Sequence, residues 1–251
     1  MGAAGSRRLA TNDNIPGADV AVWDQTAAST TPGTPTLPTA VLWDMEGTLV
    51  DTEPYWMETE FALAAEYGAT WTHELALQLV GNDLLTSGRF IQENMGLPLS
   101  PEEIVERLLD GVVERVRYDV PWRPGAVDLL EQLSAAGVPC ALVTMSWERF
   151  VAPILAALPP DTFTAVVTGD NVTHGKPHPE PYLTAAARLG VDATTTIAIE
   201  DSEPGCRSAE AAGCTVLAVP LHVSVAAGER RVFRDSLLGL DPAALGALRL
   251  P

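Results

Sequence analysis

The apolar run Ala40-Val41-Leu42-Trp43 breaks off at Asp44; a second acid comes at Glu46, and then Gly47. A short apolar run that ends in an acid predicts a strand buried on both faces, as in a parallel sheet. Open α/β sheets bind ligands outside the carboxyl ends of their strands, which is where Asp44 would stand. Gly47 lets the chain turn sharply and lets backbone N–H groups approach a ligand. Taken alone, the stretch reads equally as a strand and a turn whose acids face water.

The chain beyond Asp44 narrows the choice. Glu53 to Tyr67 carries Trp56, Phe61, Leu63 and Ala64 at roughly helical spacing and ends at Gly68. His73 to Val80 and Leu84 to Asn94 read as shorter helices parted by Gly81-Asn82-Asp83. Ser100-Pro101-Glu102-Glu103 is a helix start, with an N-cap serine, proline at the first position and glutamate at the third. Ile104, Leu108, Val112 and Val116 continue that helix on one face. No strand signal falls between about 55 and 120.

From Pro124 onward helices and strands alternate. Helices are expected over Pro124–Ala136, Glu148–Leu158, Pro179–Leu189 and Pro204–Ala212. Strands are expected over Val138–Val143, Phe163–Val167, Thr194–Ile199 and Thr215–Val219. This pattern predicts an α/β fold, a doubly wound parallel sheet with helices on both faces. The helical block interrupts it directly after the first strand and reads as an inserted domain. The expected division is a catalytic core at 39–54 and 121–251, an inserted helical cap at 55–120, and a disordered Ala-, Thr-, Gly- and Pro-rich tail at 1–38.

Charge excludes some partners. Fifteen lysines and arginines stand against 33 acids, a net charge of -18. Such a surface repels nucleic acid and anionic lipid, and no apolar stretch is long enough to span a bilayer. The three cysteines, Cys140, Cys206 and Cys214, have no metal-ligand spacing and an odd count. A reduced, cytoplasmic setting is expected, with the chain a monomer or weak dimer.

The residues that close the strands carry the chemistry. The first strand ends in Asp44, and the second in Thr144 with Ser146 behind it. The third leads to Gly175-Lys176-Pro177, and the fourth ends in Glu200-Asp201. A parallel sheet brings all these ends to one edge. Asp44, Glu46, Glu200 and Asp201 cannot all ionise side by side without a cation, and their hard oxygens favour Mg²⁺. Lys176 and the Thr144 hydroxyl are suited to an anion's remaining oxygens. A lone lysine is most often solvated, and an acid pair before a helix is often a cap. Arriving together in strand order, they point to one site.

With these motifs the chain resembles the haloacid dehalogenase-like hydrolase superfamily, in its phosphatase and β-phosphoglucomutase-like branch. The matching segments are Asp44-Met45-Glu46-Gly47-Thr48-Leu49-Val50-Asp51, Leu142-Val143-Thr144, Gly175-Lys176-Pro177-His178-Pro179-Glu180, and Ile199-Glu200-Asp201-Ser202-Glu203-Pro204-Gly205 with Ala211-Ala212-Gly213 behind. The resemblance implies a Rossmann-like core with a helical cap and a Mg²⁺-dependent phosphatase of a small phosphorylated metabolite. It implies Asp44 as nucleophile, forming an aspartyl phosphate, and Glu46 as acid/base. Thr144 and Lys176 would bind the transferring phosphoryl group. Asp44, the Glu46 carbonyl, Glu200 and Asp201 would hold the metal. Asn82 and Asp83 of the cap loop, with Ser146, are the candidate substrate-binding residues.

Glu46 departs from the family, which places an aspartate there. The extra methylene moves the acid by roughly a bond length, and small displacements of a catalytic group can cost about 10²-fold. An aspartate at 46 is therefore expected to keep or raise activity. Two other functions are compatible with the same residues. One is a sugar-phosphate mutase like β-phosphoglucomutase, whose branch has a histidine where Trp56 stands and an arginine in the loop matching Gly81 to Ser87, both absent here. The other is a catalytically weak phosphate-binding or regulatory protein.

Overall fold

The computed structural model describes residues 36–80 and 82–248. Among them, β1 (Val41–Trp43), β2 (Cys140–Val143), β3 (Ala165–Val167), β4 (Ile197–Glu200), β5 (Thr215–Ala218) and β6 (Arg231–Phe233) form one parallel sheet in the order β3-β2-β1-β4-β5-β6. The architecture is the Rossmann-like sheet that the alternating pattern predicts.

Strand period two sorts the side chains onto two faces. Trp43, Leu142, Ile199 and Leu217 point one way, into a core shared with Leu129 and Leu133 of α5 (Ala126–Ala135) and Phe150 and Ile154 of α6 (Glu148–Ala156). Leu42, Ala141, Ala198 and Ala218 point the other way, against Tyr182 and Ala185 of α7 (Glu180–Leu189) and Cys206 and Ala209 of α8 (Glu203–Ala211). Small strand residues on this second face let α7 and α8 approach closely. All three cysteines are buried and unpaired by disulfides.

From β1 the chain builds outward through β2 and β3, then returns to lay β4, β5 and β6 on the other side. The order reverses beside β1, and the crevice at such a reversal is where doubly wound sheets bind ligands. The ends of β1, β2 and β4 therefore enclose the natural site.

Between β1 and α5 run α1 (Glu53–Tyr67), α2 (His73–Ala76) with a 3₁₀ turn at Leu77–Leu79, α3 (Leu84–Met95) and α4 (Pro101–Tyr118). The start of α4 is the capping box its sequence predicts. Ser100 Oγ accepts the Glu103 N–H at 3.2 Å, and Glu103 Oε2 accepts the Ser100 N–H at 2.7 Å. The outgoing and returning chains lie side by side, with Asp51 N–H donating to Pro121 O at 2.8 Å and Arg123 N–H to Leu49 O at 2.9 Å. On α1 one expectation fails: Phe61 is exposed, while Glu60 is buried.

Two more departures lie at the ends. Residues 1–35 of the expected tail fall outside the described residues, but Pro38 is buried and the Thr36 carbonyl lies against Gly246 of α9 (Pro242–Gly246). The packed body thus begins before residue 39. The strand β6 has no counterpart among the expected strands, because three residues that include an arginine give no apolar run. Arg231 is 5% exposed and is met by Glu203 at 2.6 Å and Glu210 at 2.8 Å, both from α8. No helix among the described residues is long and apolar enough to cross a membrane.

Candidate active site

Asp44, one residue past β1, is buried, and Lys176 reaches it from the loop between β3 and α7. The Lys176 ammonium donates to Asp44 Oδ1 at 2.6 Å, to Glu200 Oε1 at 2.6 Å and to the Val143 carbonyl at 2.9 Å. Burial opposes its charge, but Asp44 and Glu200 hold it above the ordinary lysine range. Glu180 fixes the loop that carries the lysine, accepting the Thr173 N–H at 2.7 Å and the His174 N–H at 3.0 Å.

The acids divide into engaged and open groups. Glu200 is fully used: Oε1 also accepts the Tyr182 hydroxyl at 2.5 Å, and Oε2 accepts Ser202 Oγ at 3.3 Å. Asp44 Oδ2 is buried without a hydrogen-bond partner among the described residues. Asp201 receives no hydrogen bond from a described residue. Burial, then the charges of Asp44 and Glu200, push its carboxyl well above the usual range. Asp44 is raised as well, by burial first, against the pull of Lys176. Ligand oxygens of Asp44, Glu200 and Asp201 lie within 4.8 Å of one another. A buried oxygen lacking a partner, beside an unpaired acid and an all-oxygen donor set, fits a hard divalent cation.

Two glycines let these acids come so close. Gly47 has φ +81°, and a Cβ there would lie 1.9 Å from Asp201 Oδ2. Gly205, in the first turn of α8, leaves room for Glu200, whose Oε2 would be 2.0 Å from a Cβ.

Glu46 is met by three donors. Thr52 Oγ1 donates to Oε1 at 3.0 Å, the Trp56 indole N–H donates to the same oxygen, and Ser146 Oγ donates to Oε2. Burial raises this carboxyl, and the bonds from Ser146, Trp56 and Thr52 draw it back. The longer arm is thus received by donors on both α1 and the sheet edge.

One cavity of about 110 Å³ gathers most of the residues singled out in the sequence: Asp44, Glu46, Thr144, Lys176, Asp201 and Asn82. Thr144 is buried, with its Oγ1 accepting the Ser146 N–H at 3.1 Å. Three do not line it: Ser146 and Asp83, expected to bind substrate, and Glu200, expected to hold the metal. Ser146 stands behind Glu46. Glu200 stands behind Lys176. Asp83 is exposed and caps α3, accepting the Thr86 N–H at 2.9 Å and Thr86 Oγ1 at 2.6 Å. Gly81 of the same loop lies outside the described residues. The cavity also holds Glu53, Trp56 and Glu60, which the sequence does not mark as site residues. Their spacing of three and four on a helix is the available signal, but acids on a helix ordinarily read as a solvated face.

Comparison with known proteins shows the family. The family model for haloacid dehalogenase-like hydrolases matches residues 41–219. Hexitol phosphatase B of Escherichia coli (strain K12) is 29% identical over 188 residues, covering 72% of this chain and 83% of that protein. The bifunctional riboflavin kinase/FMN phosphatase of Arabidopsis thaliana is 31% identical over 73% of this chain, which spans about half, 49%, of its length. CbbY from Rhodobacter sphaeroides, solved in complex with phosphate, superposes with a TM-score of 0.74 at 25% identity, covering 83% of this chain and 99% of that one.

Proposed function

The chain belongs to the haloacid dehalogenase-like hydrolase family, and on that premise we propose that it is a Mg²⁺-dependent phosphatase of small phosphorylated metabolites, working through an aspartyl phosphate. The observation that carries this reading is the placement of Asp44 and Glu46 in one cavity, with Lys176 held 2.6 Å from Asp44 Oδ1. The relatives named as phosphatases support it.

In the proposed reaction an Asp44 carboxylate oxygen forms a bond to phosphorus as the ester P–O bond breaks. Glu46, in its protonated form, gives its proton to the departing alkoxide. The alcohol leaves, and Glu46 then takes a proton from water, whose oxygen attacks phosphorus and displaces Asp44 as inorganic phosphate forms. Lys176 and Thr144 hold the phosphoryl oxygens, and Glu200 keeps Lys176 in place. Asp44, Asp201 and the Glu46 main-chain carbonyl are the groups that would hold Mg²⁺, which when bound supplies neutralising charge at the phosphoryl oxygens. The segment α1–α4 serves as a cap that shields the site from water. Trp56 supports hydrolysis over a mutase reaction, because an indole is not an acid/base and here engages Glu46.

The test is to quench the protein during turnover, reduce with borohydride and map the modified residue by mass spectrometry. Homoserine at 44 is expected. Phosphoryl transfer to any other side chain, or no Mg²⁺-dependent phosphate release, would overturn the reading.

A further inference from the structure

The face that α1 turns to the cavity carries an acid, an indole and an acid. Glu53, Trp56 and Glu60 are three and four residues apart, the spacing of side chains on one helix face, and all three line the cavity that holds Asp44 and Lys176. Trp56 is occupied by Glu46. Glu60 is 3% exposed, with Oε2 accepting the Trp71 indole N–H at 3.0 Å and Oε1 receiving nothing from a described residue. Glu53 is half-buried and receives no hydrogen bond from a described residue. Burial pushes the two carboxyls up, Glu53 to about 8 and Glu60 to about 7. Buried acids without full partners are costly to keep and cluster where a ligand completes them. No lysine or arginine of the described helical segment lines this cavity; its other polar lining there is the neutral pair Asn82 and Ser87.

We propose that Glu53 and Glu60 select the alcohol half of the substrate, a leaving group that carries hydrogen-bond donors and no second anionic group. Polyol and amino-alcohol monophosphates both have this chemistry. The inference rests on the phosphatase reading of the same cavity and adds to it the class of ester. An ionised carboxylate only accepts hydrogen bonds, so hydroxyl or ammonium groups complete it. A carboxylate or second phosphate on the leaving group would instead meet two acids with no lysine or arginine in the described helical lining to offset them, a like-charge juxtaposition that rejects wrong partners. The one lysine in the cavity is already shared between Asp44 and Glu200.

The experiment measures phosphate release by the full chain with Mg²⁺ at pH 9, above the range to which burial pushes both carboxyls, on sorbitol 6-phosphate, phosphoethanolamine, 2-phosphoglycolate, fructose 1,6-bisphosphate and p-nitrophenyl phosphate. Either of the first two should exceed both anionic esters at least about tenfold in kcat/KM, the scale of one hydrogen bond to a charged group. Glu53→Gln and Glu60→Gln should each shrink that preference, mainly through KM. Preference for sorbitol 6-phosphate assigns hydroxyl recognition, and preference for phosphoethanolamine assigns ammonium recognition. Turnover of p-nitrophenyl phosphate without the preference overturns the inference and leaves the phosphatase reading standing. No turnover of any ester overturns that reading, and this inference with it.

Discussion

The indole N–H of Trp56 donates to Oε1 of Glu46, tying the first turn of α1 to the loop after β1. The same indole ring stands edge-on to Phe150 of α6, with ring centroids 5.4 Å apart. One residue thus packs the helical segment against the core and holds the candidate acid/base. Ser146, from the end of β2, grips the other Glu46 oxygen. Both carboxylate oxygens are oriented, as a group that must deliver a proton to one atom requires.

This arrangement changes the expectation for position 46. Glu46→Gln should lose roughly 10²–10⁴-fold in kcat on an alkyl phosphate, where the leaving group needs a proton. The loss should be smaller on an aryl phosphate. Glu46→Asp, which the family pattern alone would favour, should instead fall by about tenfold or more, because the shorter arm leaves Trp56 and Ser146 without their acceptor. Steady-state rates on glycerol phosphate decide it: an aspartate variant as fast as the parent would show that the three donors do not set the geometry.

Glu200 and Asp201 are adjacent, yet their surroundings assign them different work. Glu200 holds Lys176, Tyr182 and Ser202, whereas Asp201 faces the cavity. Asp201→Asn should weaken Mg²⁺ binding by at least about tenfold, the loss that removing even an outer-shell partner of a metal ligand brings. Glu200→Gln should lower kcat while moving the Mg²⁺ dissociation constant much less. Calorimetric titration with Mg²⁺ separates the two, and equal losses would mean that Glu200 is itself a ligand.

Gly47 should not tolerate a side chain. Alanine at φ +81° costs about 1–2 kcal/mol in backbone strain, and its Cβ would lie 1.9 Å from Asp201 Oδ2. Gly47→Ala should therefore lower the melting temperature and weaken Mg²⁺ binding together. A variant with unchanged Mg²⁺ affinity would show that Asp201 moves aside without consequence.

Most of the sheet is legible in the sequence because its buried strands are short apolar runs, three of which are stopped by a candidate site residue. Asp44, Thr144 and Glu200 can be found by asking what closes each run. The parts that are not legible share a physical cause. The strand β6 has no apolar run, since Arg231 enters the interior paired with Glu203 and Glu210 from a helix earlier in the chain. Glu60 reads as a surface acid until the fold sets Trp71 beside it. Ser146 and Asp83 look alike as polar residues near a cavity; tertiary packing turns the first toward Glu46, whereas the second is a local helix cap that bonds Thr86 three residues on.

The cost of Glu60 is measurable in stability. Burial raises its carboxyl from 4.5 to about 7, against the pull of the Trp71 indole. The folded protein then binds this proton more tightly than the unfolded chain does. Stability from the group is fully present below pH 4.5 and is lost as pH rises through about 7. The loss is on the order of 3 kcal/mol if the whole difference is expressed. Glu60→Gln removes the titration and keeps an oxygen for Trp71. Denaturant unfolding should therefore find the variant more stable than the parent at pH 8.5, with the gap narrowing toward pH 5. Parallel stability curves across that range would mean that Glu60 does not titrate as a buried acid. A variant more stable at high pH but less selective among phosphate esters would identify a carboxylate held in place for binding at the expense of the fold.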